Sequence, residues 1–164
     1  MNELLISPLR PELVDLIIGW HYLPPYDVYD LSPADREPLL NPRYRYHQVL
    51  DGSGNLIGYC CYGADARVPG GEYTGSDHDF LDVGVGLHPD LVGRGLGADF
   101  VGAVLAYGQE HFHPANFRVT VADFNQRSLK TFRKLGFRES YHFRRKPDGM
   151  PFTQLERSHN EGTS

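Results

Sequence analysis

The residues of this chain with the most chemistry to offer stand between positions 72 and 128. Gly93, Gly95 and Gly97 alternate through Val92-Gly93-Arg94-Gly95-Leu96-Gly97. A tight turn so poor in Cβ atoms can aim successive main-chain N–H groups into one concavity, which binds anions. Leu96, Phe100, Val101, Val104, Leu105 and Gly108 then recur at steps of three and four, the stripe of an amphipathic helix. Its first turn, at Gly97 and Ala98, brings unpaired N–H groups and the positive end of the helix dipole to the same place. Such an arrangement is suited to phosphate. Two carboxylates precede it: Glu72 in a glycine-rich stretch, and Asp82, which shares a strand face with Gly84 and Gly86. An acid opposite two glycines suggests a face open to a reactant, and either carboxylate could take a proton from a nucleophile. Trp20, Tyr22, Tyr26 and Tyr29 stand around Pro24-Pro25. They offer apolar bodies with polar tips, fit to cover the core edge or to line a substrate pocket.

Spacing decides which phosphate compound is expected. A Walker loop needs a lysine after its second glycine, and no lysine stands between Leu81 and Phe112. A dinucleotide fingerprint needs three glycines in the order GxGxxG; Gly84-Val-Gly86-Leu-His-Pro89 breaks it, and Gly93-Arg-Gly95-Leu-Gly97 lacks the third glycine in place. The pattern that fits is Arg/Gln-x-x-Gly-x-Gly/Ala after a strand and a Pro-containing turn, with Val92 in the first place. A second pattern follows in order: Val119-Thr-Val121, then Asn125-x-x-Ser128, then Phe132-x-x-Leu135-Gly136-Phe137.

Together these resemble the GNAT superfamily of N-acetyltransferases. The resemblance spans roughly residues 4–156, with specific motifs from 81 to 137. It implies an acetyl-CoA-dependent transfer of acetyl to a primary amine, on a small molecule or a protein, with the pyrophosphate on the glycine loop. The cofactor contacts so implied are Val85, Leu87, Val92, Gly93, Arg94, Gly95, Leu96, Gly97, Ala98, Asn125, Ser128 and Phe132. Asn125 matches the family asparagine that meets the pantetheine or acetyl end, and it also suits a helix N-cap. Phe132 stands where many members carry the tyrosine that reprotonates the departing thiolate. Phenylalanine has no proton to give, so that role passes to another group or to water; Tyr141 and Ser128 are candidates. A thiol of pKa about 8.5 leaves readily enough for transfer to continue without the tyrosine. Val92 and Phe132 also suggest a second reading, a non-catalytic acyl-CoA-binding module, and the glycine loop a third, a nucleotide-phosphate binder.

The chain has 164 residues, 40% hydrophobic, with a formal charge of −5, which suits one globular domain over 1–156 with a polar tail over 157–164. The charge argues against a nucleic-acid partner and is compatible with a cationic substrate. The opening residues have neither a basic n-region nor a long apolar run, so neither a signal peptide nor a membrane span is expected. Cys60 and Cys61 would point to opposite faces of a strand and cannot pair; with no CxxC, a reduced cytoplasmic setting without metal is expected. A monomer and a homodimer are both compatible with the sequence.

Periodicity and turn signals place strands at 4–7, 45–50, 56–62, 80–87, 117–121, 137–144 and 152–156. Helices are expected at 12–20, after Ser32-Pro33, at 97–112 and at 126–135, the last stopped by Gly136. The expectation is an α+β fold: a mixed, mostly antiparallel sheet of about seven strands flanked by about four helices.

Overall fold

The computed structural model describes residues 3–158. The strands are β1 (Leu5–Pro8), β2 (Tyr46–Leu50), β3 (Leu56–Tyr62), β4 (Phe80–Leu87), β5 (Asn116–Ala122), β6 (Arg138–Arg144) and β7 (Pro151–Ser158). The helices are α1 (Pro11–Ile18), α2 (Arg36–Leu40), α3 (Gly97–Phe112) and α4 (Gln126–Lys134). The strands form one sheet in the order β1-β2-β3-β4-β5-β7-β6. Every neighbouring pair is antiparallel except β4 and β5. The α+β class, the mostly antiparallel sheet and the four helices agree with the sequence expectation.

Element ends differ where local chemistry overrides pattern. Strand β2 begins at Tyr46, because Arg45 sits in the left-handed region at φ 51°. Helix α1 closes at Ile18, so Trp20 lies beyond it. Strand β7 runs on to Ser158, pairing Arg157 with Phe117 and Ser158 with Asn116. Arg157 also donates to the Leu135 carbonyl at 2.9 Å and lies over the rings of Phe117 and Phe137. Arg157 and Ser158, expected in a polar tail, thus belong to β7; positions 159–164 lie outside the described residues.

Alternation sorts the sheet into two faces. Leu81, Val83, Phe117, Val119, Val121 and Leu155 form the core under α3 and α4, joined by Phe100, Val104, Leu129 and Phe132. The opposite face carries Tyr59, Cys61, Asp82, Arg118, Thr120 and Gln154. Over it lie Trp20, tilted against Tyr59 at 6.0 Å, and the 63–79 segment, whose Tyr73 hydroxyl meets Thr120 Oγ1 at 2.8 Å.

The feature that positions the site is a fork. Strands β4 and β5 pair only through Phe80–Asn116, Leu81–Phe117 and Asp82–Arg118, yet β4 continues to Leu87 and β5 to Ala122. Beyond Asp82 and Arg118 the two strands part, while each keeps its outer neighbour, β3 or β7.

Candidate active site

The fork leaves a row of main-chain groups without a strand partner. Gly63 N donates to the Asp82 carbonyl and His88 N to the Ile57 carbonyl, both at 2.8 Å, so even-numbered residues of this stretch bond toward β3. Neighbouring residues of a strand point their N–H groups to opposite sides, so Val83 turns its N–H to β5 at the last matched register and Val85 and Leu87 present theirs to the fork. Their side chains belong to the core or pack against it. Of the two strand residues expected at the cofactor, Val85 and Leu87, the structure therefore offers the backbone.

At the carboxyl end of β4 the chain makes a short 3-10 turn, Pro89–Leu91, and enters the glycine loop. Gly93 and Gly95 adopt φ of +78° and +75°, which side chains with a Cβ rarely take. A Cβ on Gly95 would meet nothing within 4 Å, so glycine is required there by backbone conformation alone. A Cβ on Gly93 would lie 3.3 Å from the Arg127 guanidinium, which also covers the Tyr26 ring at 5.1 Å. No side chain caps the start of α3 at Leu96. The first amides of a 16-residue helix thus face outward beside the turn, with Arg94 exposed on it. This is the concavity the sequence pointed to.

At the carboxyl end of β5, Asn125 N reaches back to the Ala122 carbonyl at 2.9 Å and keeps the asparagine at the strand's end. Asn125 Oδ1 accepts from Ser128 N at 3.1 Å, so the residue is the N-cap of α4. Its Nδ2 donates to the Tyr29 hydroxyl at 3.2 Å. The aromatic segment spans the two parted strands: Tyr22 donates to the Leu87 carbonyl at 2.7 Å, and Tyr26 and Tyr29 lie against Phe124 with ring centres 5.7 and 5.8 Å away. Trp20 is buried against His88, 4.9 Å between rings. Burial, with the Asp30 charge behind it, pushes the Tyr22 phenol up to about 12. The four aromatic residues expected around a substrate thus roof the mouth of the fork. Phe124, Arg127 and His88, which the sequence reading missed, hold them there; Phe124 and Arg127 flank the Asn125 already singled out.

Asp82 departs from its expectation. It is 1% exposed, and both its oxygens are taken: Arg118 Nε donates to Oδ1 at 2.7 Å, and Arg118 Nη2 and Arg67 Nε donate to Oδ2 at 2.8 and 2.9 Å. Both oxygens thus already accept from guanidinium groups, and the carboxylate is built into a buried ion pair. The pair stands on the last matched register of β4 and β5 and so closes the crotch of the fork. The face beside Asp82 is also filled: a Cβ on Gly86 would lie 2.3 Å from the Tyr59 ring, and one on Gly84 would meet Cys61 and Ala66. The signal was present, since Arg118 is the one charged residue in Phe117-Arg-Val-Thr-Val121, on the face that alternation assigns to Asp82.

Glu72 is fastened by its backbone. Its N–H donates to Gln154 Oε1 at 2.7 Å and its carbonyl accepts from Gln154 Nε2 at 2.8 Å, leaving the residue exposed on the same sheet face as the fork. Phe132 is 3% exposed and meets Phe137 edge-on at 5.2 Å, so its ring is spent on the core. Tyr141 lies on the edge strand β6, two strands and about 10 Å from β5. Among the described residues no three His, Cys, Asp or Glu side chains converge on a metal position, and no helix is long and apolar enough to cross a membrane.

Comparison with known proteins agrees with this geometry. Residues 20–138 match the family model of the acetyltransferase (GNAT) domain. No curated protein sequence matches the chain. Among solved structures, an acetyltransferase of the GNAT family from Bacillus anthracis superimposes with a TM-score of 0.75 at 16% identity, covering 98% of this chain and 97% of that one. Spermidine N-acetyltransferase from Vibrio cholerae, in complex with CoA and spermine, superimposes with a TM-score of 0.73 at 16% identity over 100% of both chains. With the family model spanning most of the sequence, the chain belongs to the GNAT acetyltransferase family.

Proposed function

We propose that this protein transfers acetyl from acetyl-CoA directly to a primary amine. The observation that carries the reading is the parting of β4 and β5 beside the uncapped start of α3. The uncapped amides of Gly97 and Ala98, with the positive-φ glycines before them, fit a diphosphate. The unpartnered N–H groups of Val85 and Leu87 fit an extended amide-bearing arm, which can bond to a strand edge as another strand would. The V. cholerae neighbour described with CoA and spermine supports an amine as acceptor.

The chemistry asks little else of the residues. The amine, with a pKa near about 10, arrives protonated and must lose a proton before it attacks. Glu72, exposed beside the fork, is the base in this reading. Main-chain N–H groups of the parted β4 edge stabilise the oxyanion as the amine adds to the thioester carbonyl. The roof formed by Tyr22, Tyr26 and Tyr29 closes the mouth of the fork over the cofactor arm.

Two measurements test the reading. Titration calorimetry with acetyl-CoA should give a saturable heat, and incubation with acetyl-CoA and a panel of primary amines should release free thiol only when an amine is present. Binding without thiol release from any amine would favour the acyl-CoA-binding module instead. Stronger thermal protection by ATP than by CoA would favour a nucleotide binder.

A further inference from the structure

With Phe132 in the core, the departing thiolate needs another proton source, and the structure assigns that role to the hydroxyl pair of Tyr73 and Thr120, with Thr120 as the group that meets sulfur. The inference rests on the acetyl-CoA reading above. Depth in the fork selects these residues. From Asp82 to Leu87, β4 advances five residues, about 17 Å. An arm of about a dozen bonds leaving a diphosphate at the glycine loop spans roughly 15 Å when extended. Its thioester then lies near the crotch, level with Val83 and Thr120, not at the mouth where Asn125 and Tyr29 stand.

Thr120 is the first residue of β5 past the crotch whose side chain lies on the face of Asp82 and Arg118. Its Oγ1 is 2.8 Å from the Tyr73 hydroxyl. Val68 N donates to that same hydroxyl at 2.9 Å, which takes up an acceptor position and leaves the phenol proton for Thr120. Thr120 then has its own proton to give. Behind the phenol stand two cations: the guanidinium carbons of Arg118 and Arg67 lie 5.0 and 5.6 Å from the Tyr73 ring centre. Burial, with the Asp82 charge behind it, raises the phenol above its ordinary range, so it is protonated when needed, while the hydrogen bonds of Thr120 and the Val68 N–H and the Arg118 charge pull the other way. The Asp82 pair thereby gains a second task, since it holds Arg118 and Arg67 at this ring.

The step balances without a further reactant. As the tetrahedral adduct collapses, the C–S bond breaks, its electron pair goes to sulfur and the carbonyl re-forms. Thr120 gives its proton to sulfur and receives that of Tyr73. Water reprotonates the phenolate after CoA leaves. Overall, the ammonium and acetyl-CoA become the amide, free CoA and one proton.

Thr120→Val, Tyr73→Phe and the double variant test this, with Thr120→Ser as the control. Each single variant should lower kcat about 10- to 100-fold, the low end for a general acid with a good leaving group, while the dissociation constant for CoA stays within about twofold. Because the two hydroxyls act as one unit, the double variant should be no slower than the slower single one. Thr120→Ser should keep most of the rate. Wild-type kcat in Thr120→Val, losses that multiply in the double variant, or a CoA affinity that falls in step with kcat overturns the relay. A wild-type protein inert toward every amine overturns the acetyl-transfer reading itself, and the relay with it.

Discussion

At the scale of single residues, the two carboxylates singled out by the sequence separate by what surrounds them. Asp82 is locked to Arg118, itself 2% exposed, and to Arg67. Removing one partner of such a buried pair strands the other charge, at a cost of about 3–5 kcal/mol. Asp82→Asn should therefore lower the urea midpoint of unfolding sharply; an unchanged midpoint would show that the guanidinium groups find other partners. Glu72 is tied to Gln154 through its main chain alone. Glu72→Gln should accordingly unfold like the wild type yet turn over about 10²- to 10⁴-fold more slowly, in line with removal of a general base. Equal rates would move the base elsewhere.

At the scale of elements, the glycine loop and the aromatic roof make separate predictions. Gly95 has open space around its absent Cβ, so Gly95→Ala adds no clash and tests backbone conformation alone. Holding alanine at φ +75° costs on the order of 1–2 kcal/mol. If that cost is relieved by turning the loop amides away from the diphosphate, acetyl-CoA affinity should fall about tenfold while the β4–β5 fork is untouched. Calorimetry reads this directly. The roof is pinned to β4 by one hydroxyl, Tyr22 to the Leu87 carbonyl. Tyr22→Phe keeps the ring and loses a bond worth about 1 kcal/mol. Hydrogen exchange over residues 20–30 should accelerate in that variant, with α3 and α4 unaffected. Uniform acceleration across the chain would mean that the roof is not an independent unit.

At the scale of the whole molecule, stability should depend on pH through a histidine remote from the site. His47 is buried under Tyr62, Tyr107 and Phe112, with its Nδ1 at 2.8 Å from the Arg45 carbonyl. Burial first, then the charges of His111 and Arg45, hold its pKa below the ordinary 6.5, against the pull of the Arg45 carbonyl. A depressed histidine binds its proton more readily when the chain is unfolded. Stability from this group is thus complete above pH 6.5 and drains away as the pH falls from there through the folded pKa. Melting temperature should drop between pH 7 and pH 5, and His47→Phe should flatten that part of the curve. A slope unaltered by the substitution would assign it to other groups.

The sequence by itself determined the elements and the glycine loop, because their signals are local. Alternation marked the strands, a stripe of apolar residues marked α3, and Gly93 and Gly95 announced a turn that only glycine can make. Asn125 declared itself as a cap by preceding a helix. What only the tertiary structure decided depends on which strands become neighbours. The insertion of β7 between β5 and β6, the parting of β4 from β5, and the meeting of Asp82 with Arg118 join positions far apart in the chain, 36 residues in that last case. Periodicity assigns a face to a residue and says nothing of who lies across from it. For that reason the sequence could name Asp82 as an acid in the right strand, while the fold alone made it the clasp of the fork and left proton traffic to other groups.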